Sequence, residues 1–479
     1  MEKELNKDKF EFIPRLFADE NIGGYYETET GEIKVFFKHR LSQTDLKTLK
    51  FLSQDFRNFC NENDITDSVL EQFNLPLQVL NENGRDEIVI RPYPQQYYFT
   101  NGKFKGSIKE GKWFCSEKLR NKFLSAGQRG TFLNHLKCAR KIANLIYLFQ
   151  KNNLIVDDLS YRSFLMNPEA GEIFFVAWDG IHRYDEQPNH ISPLPDFTAP
   201  ERLYNRWIYK FPTIHSNNHA LSVLIYMLLL HRHPLRGKKI NSDDVSLDEE
   251  LTFGKCALFI EHPGDKSNEV NVESLMNSEL PYGNPKLRPY SLLGKFLYKL
   301  INVAFVEALH IPQSRPEPKD WIIALDNTIS SLIKCQNPYC EEKYFVFREN
   351  CDSRICPYCG TKITIPTPVL NCYSKDSENV YHYDNIRFIG RDGLILYKHQ
   401  LYDTQCKDSR FMIKEKIGLS IHYRNGNWLI QNRDIPYMVL LNNESKKTLC
   451  VNDEAILQES MKLIINDENG KMFYVQFLK

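Results

Sequence analysis

"NLIVDDLSYRSFLMNPEAGEIFFVAWDGI", Asn153 to Ile181, is the stretch on which the reading of this chain turns. A short apolar run, Leu154 to Val156, leads into two acids, Asp157 and Asp158. A polar loop follows, with Ser163 five positions after Asp158. Gly171 then opens an apolar strand that runs to Val176, and Asp179-Gly180 closes the stretch. An Asp before Leu-Ser is by itself most often a helix cap or turn residue, because its short carboxylate satisfies nearby backbone N–H groups. Its meaning depends on the rest of the chain.

The surroundings supply a context. In the catalytic loop of a protein kinase, an Asp accepts the substrate hydroxyl proton and an Asn five residues later holds a metal ion. Asp158 takes the first position and Ser163 the second, while Val156 stands where His is usual. "TAPERL", Thr198 to Leu203, matches the A-P-E signature that closes an activation segment. Its Glu201 needs a cation if it is buried, because an unpaired buried carboxylate is costly. "IPQSRPEPKDWIIAL" offers Arg315, in the block that ends a kinase C-lobe. "NNHALSVLIYMLLLHRHPLRG" resembles the large C-lobe helix, with Asn217 at its usual Asp. "VFFK" in the place of V-A-I-K makes Lys38 the nucleotide lysine; Lys34, on the same face of the strand, is its rival. "ENIGGYYETETGE" reads as the phosphate-covering hairpin, with Gly23 and Gly24 at its turn.

Several longer blocks are similar to one kinase family: "KGSIKEGKWFCSEKLR", "DDLSYRSFLMNPEAGE", "HALSVLIYMLLLHRHPLRGKKI" and "DEELTFGKCALFIEHPGDKSN". They resemble the bacterial kinase of the tellurite-resistance-associated triad, which is grouped with a PP2C-type phosphatase and a von Willebrand factor A-type protein. The resemblance implies a serine/threonine protein kinase that uses ATP with Mg²⁺ or Mn²⁺, acts on a protein, and has those two proteins as partners. The family's loop reads H-x-D-L-S-Y-K-N, followed by I-D-x-D-G. Here Asp158 is kept, but Asn has become Ser163 and the first Asp of D-x-D-G has become Ala177. Ala offers Mg²⁺ no oxygen, and a Ser hydroxyl is a poorer ligand than an amide carbonyl. Asp179 could replace the lost carboxylate only if the loop shifts, since two residues of extended chain span roughly 6–7 Å. Two expectations follow: a kinase using Lys38, Asp158 and Asp179, or a pseudokinase serving as scaffold or nucleotide sensor.

Lys plus Arg equal Asp plus Glu at 61 each, so no overall field favours nucleic acid or an anionic membrane. The basic run in "KKINSDDVSLDEE" is answered at once by acids. The start, "MEKELNKDKFEF", lacks the apolar core of a signal peptide, and the apolar run "ALSVLIYMLLL" is too short to span a bilayer. The expectation is a cytoplasmic protein with no nucleic-acid or membrane partner. Of the 12 Cys, five crowd into "CQNPYCEEKYFVFRENCDSRICPYCG". Its C-P-Y-C-G knuckle is a zinc-ribbon signal, so Cys335, Cys340, Cys356 and Cys359 are the expected Zn²⁺ ligands, with Cys351 as competitor. "TIPTPVL" reads as a Pro-punctuated linker. Beyond it, short β-rich runs alternate with turns such as "RNGN" and "DENG". The expected class is α+β. A two-lobed kinase-like domain (N-lobe 1–105, C-lobe 106–332) precedes a zinc ribbon (333–364). An all-β, sandwich-like domain follows (370–479), loosely similar to a forkhead-associated domain.

Overall fold

The computed structural model of the chain describes residues 3–4, 22–56, 58, 71–82, 84–184, 194–205, 207–272, 284–349, 354–402, 416–442, 445–465 and 469–478. The chain divides into two compact units, one of residues 1–291 with 297–323, the other of 292–296 with 324–479.

The first unit begins with five antiparallel strands: β1 (Lys3–Glu4), β2 (Ile22–Glu27), β3 (Ile33–Phe37), β4 (Gln78–Glu82) and β5 (Arg85–Ile90). Their order in the sheet is β1-β2-β3-β5-β4. Strict alternation along β3 buries Ile33, Val35 and Phe37 on one face. The turn from β2 to β3 is Thr28–Glu32, where Thr28 N–H donates to Glu32 O at 2.8 Å. Gly31, at φ 82°, takes the left-handed conformation of this turn, which a residue without a Cβ adopts at no steric cost. A helix, Gln43–Lys50, follows β3. Ser42 caps it by accepting the Asp45 N–H at 3.0 Å, which satisfies one of the donors that a helix start leaves open. Its extension carries Phe56 against Phe73 and Phe149, with ring centroids 5.8 and 5.7 Å apart.

After β5 the unit is helix-rich. Helix Phe132–Lys151 starts on a Thr131 cap, and helix Ile214–Leu230 is buried along nearly its whole length. That explains the apolar run in the sequence: the helix is surrounded by protein on every side. Among the described residues, no helix is long and apolar enough to cross a membrane. Two short antiparallel ladders lie between these helices in sequence. One joins β6 (Leu154–Val156) to β9 (Ile181–Arg183), the other β7 (Phe164–Asn167) to β8 (Glu172–Phe175).

The second unit holds a small ladder, β10 (Leu332–Lys334) with β11 (Tyr344–Val346), and two larger sheets. One sheet has the order β13-β12-β21-β20-β17-β18, the other β14-β15-β16-β19. These strands are β12 (Thr367–Lys375), β13 (Tyr381–Ile389), β14 (Leu394–Tyr397), β15 (Ile417–Arg424), β16 (Asn427–Asn432), β17 (Met438–Leu441), β18 (Lys446–Leu449), β19 (Glu454–Ile456), β20 (Lys462–Ile465) and β21 (Met472–Leu478). Leu370, Phe473 and Val475 from the first sheet share one core with Leu396, Ile421 and Ile430 from the second. Asn425 and Gly426, at φ 51° and 80°, make the tight turn that "RNGN" encodes, since a two-residue hairpin loop of this kind needs positive φ at both positions. The expected linker is shorter than its prolines suggest. Thr367 to Leu370 already lie in β12, buried between β13 and β21, with Pro368 at the second strand position.

Candidate functional site

The loop between β6 and β7 is held from below by Asn217. Its Nδ2 donates to Val156 O at 2.8 Å, and its Oδ1 accepts the Val156 N–H at 3.0 Å. Within the loop Ser160 Oγ accepts the Arg162 N–H, and Ser163 closes the turn. The Ser163 hydroxyl donates to the Asp158 carbonyl at 2.8 Å and accepts the Ser160 N–H at 3.1 Å. Ser163 is 1% exposed, so its only proton and one of its lone pairs are committed inside the loop. Asp158 is half-buried, and its Oδ1 accepts the Leu194 N–H at 3.1 Å. Ala177 heads the turn Trp178–Gly180 and brings no ligand atom. The main chain of Asp179 lies in that turn; its side chain is outside the described residues.

One expectation on the nucleotide side needs correction. Gly23 and Gly24 are not at a hairpin turn. They lie inside β2, at an irregularity of its pairing with β3, because Gly31 takes the turn instead. The Phe36 ring lies across both glycines: a Cβ on Gly23 would sit 2.1 Å from it, and one on Gly24 2.7 Å. Lys38 is exposed, one residue past the end of β3. Lys34 is the lysine held inside, with Nζ 2.9 Å from Glu87 of β5 and side chains only 14% and 13% exposed.

The Glu201–Arg315 pair is bidentate, with Nη1–Oε1 at 2.8 Å and Nη2–Oε2 at 2.7 Å, the fork geometry that matches a guanidinium to a carboxylate. Arg315 Nη1 and Nη2 also donate to the His215 and Leu309 carbonyls, while its buried Nε has no hydrogen-bond partner.

A buried ionisable cluster beside Asp158 was not singled out from the sequence. Asp157 Oδ1 lies 3.2 Å from His182 Nδ1, and both side chains are almost fully buried. Burial pushes the Asp157 carboxyl well above its usual range. Arg202 opposes the shift and the Asp158 charge adds to it. Burial pulls His182 down to about 4, a shift that the Gly180 backbone opposes and Arg202 reinforces. The contact is therefore between groups driven toward their neutral forms. Asp157, Asp158, Phe197, Thr198, Arg202 and Asn217 line a small open recess with room for about one water molecule. Adjacent acids were visible in "VDDL", but nothing local in sequence joins them to His182 or Arg202.

The cysteine stretch does converge. The sulfurs of Cys335, Cys340, Cys356 and Cys359 all lie within 4.8 Å of one another. Cys335 and Cys359 are 3.5 Å apart, and Cys340 and Cys356 3.9 Å. A zinc tetrahedron with bonds of about 2.3 Å has edges of about 3.8 Å. Gly360, at φ 73°, turns the knuckle so that Cys356 O can accept its N–H at 2.9 Å. Ile333, Phe345, Ile363, Val369 and Ile389 pack around the cluster. These residues could hold a metal ion of zinc's geometry. Cys351 lies outside the described residues.

The chain is 25% identical over 214 residues to protein kinase YegI of Escherichia coli strain K12. The aligned part is 42% of this chain and 29% of that protein. No known family's sequence profile matches the chain. The similarity to a bacterial protein kinase is thus distant and partial.

Proposed function

We propose that this chain is a kinase-like protein that works as a scaffold or regulated binding module and does not transfer phosphate through a Mg²⁺–nucleotide complex. Three features support a kinase-like frame. They are the similarity to YegI, the Asn217-braced loop that carries Asp158, and the buried Glu201–Arg315 pair. The observation that carries the non-catalytic reading is Ser163. Its hydroxyl is spent on Asp158 O and Ser160 N–H, so the position that should hold a metal faces inward. Mg²⁺ needs near-octahedral oxygen ligation, and Ala177 leaves the second ligand position without an oxygen. The described residues at these positions do not fit the ion. The phosphatase and von Willebrand factor A-type proteins of the triad are the partners this reading would test first. In the second unit, Zn²⁺ on the four cysteines would hold the knuckle as a structural module; bound zinc supplies folding energy, with no step of its own.

A second reading, a working serine/threonine kinase, is favoured by Asp158, which lines an open recess where a hydroxyl could reach it. The deciding experiment follows nucleotide binding and autophosphorylation in Mg²⁺ and in Mn²⁺, for the native chain and for Ala177→Asp with Ser163→Asn. Mg²⁺-dependent binding only in the restored variant supports the scaffold. Transfer by the native chain that Asp158→Ala abolishes supports the kinase.

A further inference from the structure

The four cysteines differ in access and in spacing. Cys335, Cys340 and Cys356 are 6%, 3% and 0% exposed, whereas Cys359 is the exposed member of the set. Exposed Cys359 lies 3.5 Å from buried Cys335. Cys340 and Cys356, 3.9 Å apart, are both buried. A disulfide needs its sulfurs about 2.05 Å apart, so the 335–359 pair must close by about 1.5 Å. Cys359 sits beside Gly360, whose φ of 73° lets the chain turn there with nothing within 4 Å of a notional Cβ. Oxidant reaches this side of the cluster, and a partner sulfur is waiting there.

We propose that the cluster is a peroxide-sensitive zinc switch in which Cys359 is the sulfur attacked and Cys335 the one that resolves it. The inference rests on zinc binding as proposed above. The Cys359 sulfur attacks one oxygen of a hydroperoxide; the O–O bond breaks, hydroxide leaves, and Cys359 becomes a sulfenic acid. The Cys335 thiolate then attacks the Cys359 sulfur. The S–S bond forms as the S–O bond breaks, and a second hydroxide leaves. Two thiolates have lost two electrons, and hydrogen peroxide has been reduced to two hydroxides, which are protonated to water. Zn²⁺, left with two thiolates, departs hydrated. The core around Cys356, Phe345, Ile363 and Val369 then loses its tie.

The test uses the full-length zinc-loaded chain, titrated with hydrogen peroxide while a chromogenic chelator reads zinc release. Alkylation and peptide mapping read the disulfides. About one zinc per chain should be released together with a Cys335–Cys359 disulfide, and dithiothreitol with added Zn²⁺ should reverse both. Cys359→His keeps a nitrogen ligand for zinc but cannot form the bridge, and release from it should be at least tenfold slower. Cys450→Ser, which removes the other exposed free thiol among the described residues, should change nothing. Zinc retained under peroxide, or released with a Cys340–Cys356 bridge or none, overturns the proposal. If Cys359→His fails to fold, mapping of the native chain still decides. A chain purified without zinc overturns the zinc reading itself, whereas bound zinc that peroxide leaves in place overturns only the switch.

Discussion

The cysteine knuckle and the Asp158 loop are both short, polar turns braced by neighbouring structure, yet they differ in where their donor atoms point. In the knuckle, four sulfurs converge on one point at the spacing of a tetrahedral ion. In the loop, Ser163 turns its hydroxyl back into the chain, Asp158 accepts the Leu194 N–H, and Ala177 has nothing to offer. A ligand site needs donors that the fold leaves unspent and aims together. Residue types at the right spacing do not suffice.

The largest expected effect lies on the knuckle side. Cys356→Ser removes the most buried ligand, and elemental analysis should fall from about one zinc per chain to none. The lost binding free energy is on the order of 10 kcal/mol at neutral pH, so the knuckle should become protease-sensitive. Cys351→Ser should keep the metal; if it loses it, the fourth ligand has been misassigned and the knuckle is less ordered than the comparison claims.

Arg315 sharpens the contrast from another side, because it is a charge matched entirely within the fold. Arg315→Met leaves Glu201 buried and unpaired and should cost about 3–5 kcal/mol in urea unfolding. Adding Glu201→Leu should recover much of that. A loss below about 1 kcal/mol, the range of exposed pairs, would mean that the pair is not desolvated as the 1% and 4% side-chain exposures indicate.

A smaller effect tests the neutral Asp157–His182 contact. His182 is held down to about 4 in the folded chain against about 6.5 unfolded. Between those values the unfolded chain binds a proton that the folded chain does not, so this group makes stability fall as pH falls below about 6.5. Asp157, raised by burial, works in the opposite sense. His182→Asn should therefore lose less stability than the native chain between pH 7 and pH 5, by about 2 kcal/mol. Equal losses in both chains would show that His182 charges freely where it sits.

What could be read from sequence tracks how local the cause is. The helix run at 220–230, the "RNGN" turn and the knuckle spacing are written in neighbouring residues, and each has its structural counterpart. The Glu201–Arg315 pairing was legible because a buried carboxylate demands a cation, even at long range. The glycine turn was misjudged where two local signals competed. Gly23-Gly24 looked like the turn, but Gly31 takes it, and the paired glycines instead make room for Phe36. Lys38 matches the motif and is exposed past the end of β3, while Lys34 is the lysine paired with Glu87. His182 and Arg202 could not be tied to Asp157 at all, since only the β6–β9 ladder and the packing of the 200–204 helix bring them together.

The comparison stands or falls on nucleotide binding. Isothermal titration of the zinc-loaded native chain with ATP, with and without Mg²⁺, measures it directly. The account predicts that Mg²⁺ adds no affinity to the native chain, and that Ala177→Asp with Ser163→Asn gains at least tenfold, about 1.4 kcal/mol. Native binding strengthened by Mg²⁺ and abolished by Asp179→Ala would contradict it, and would place the metal carboxylate at Asp179.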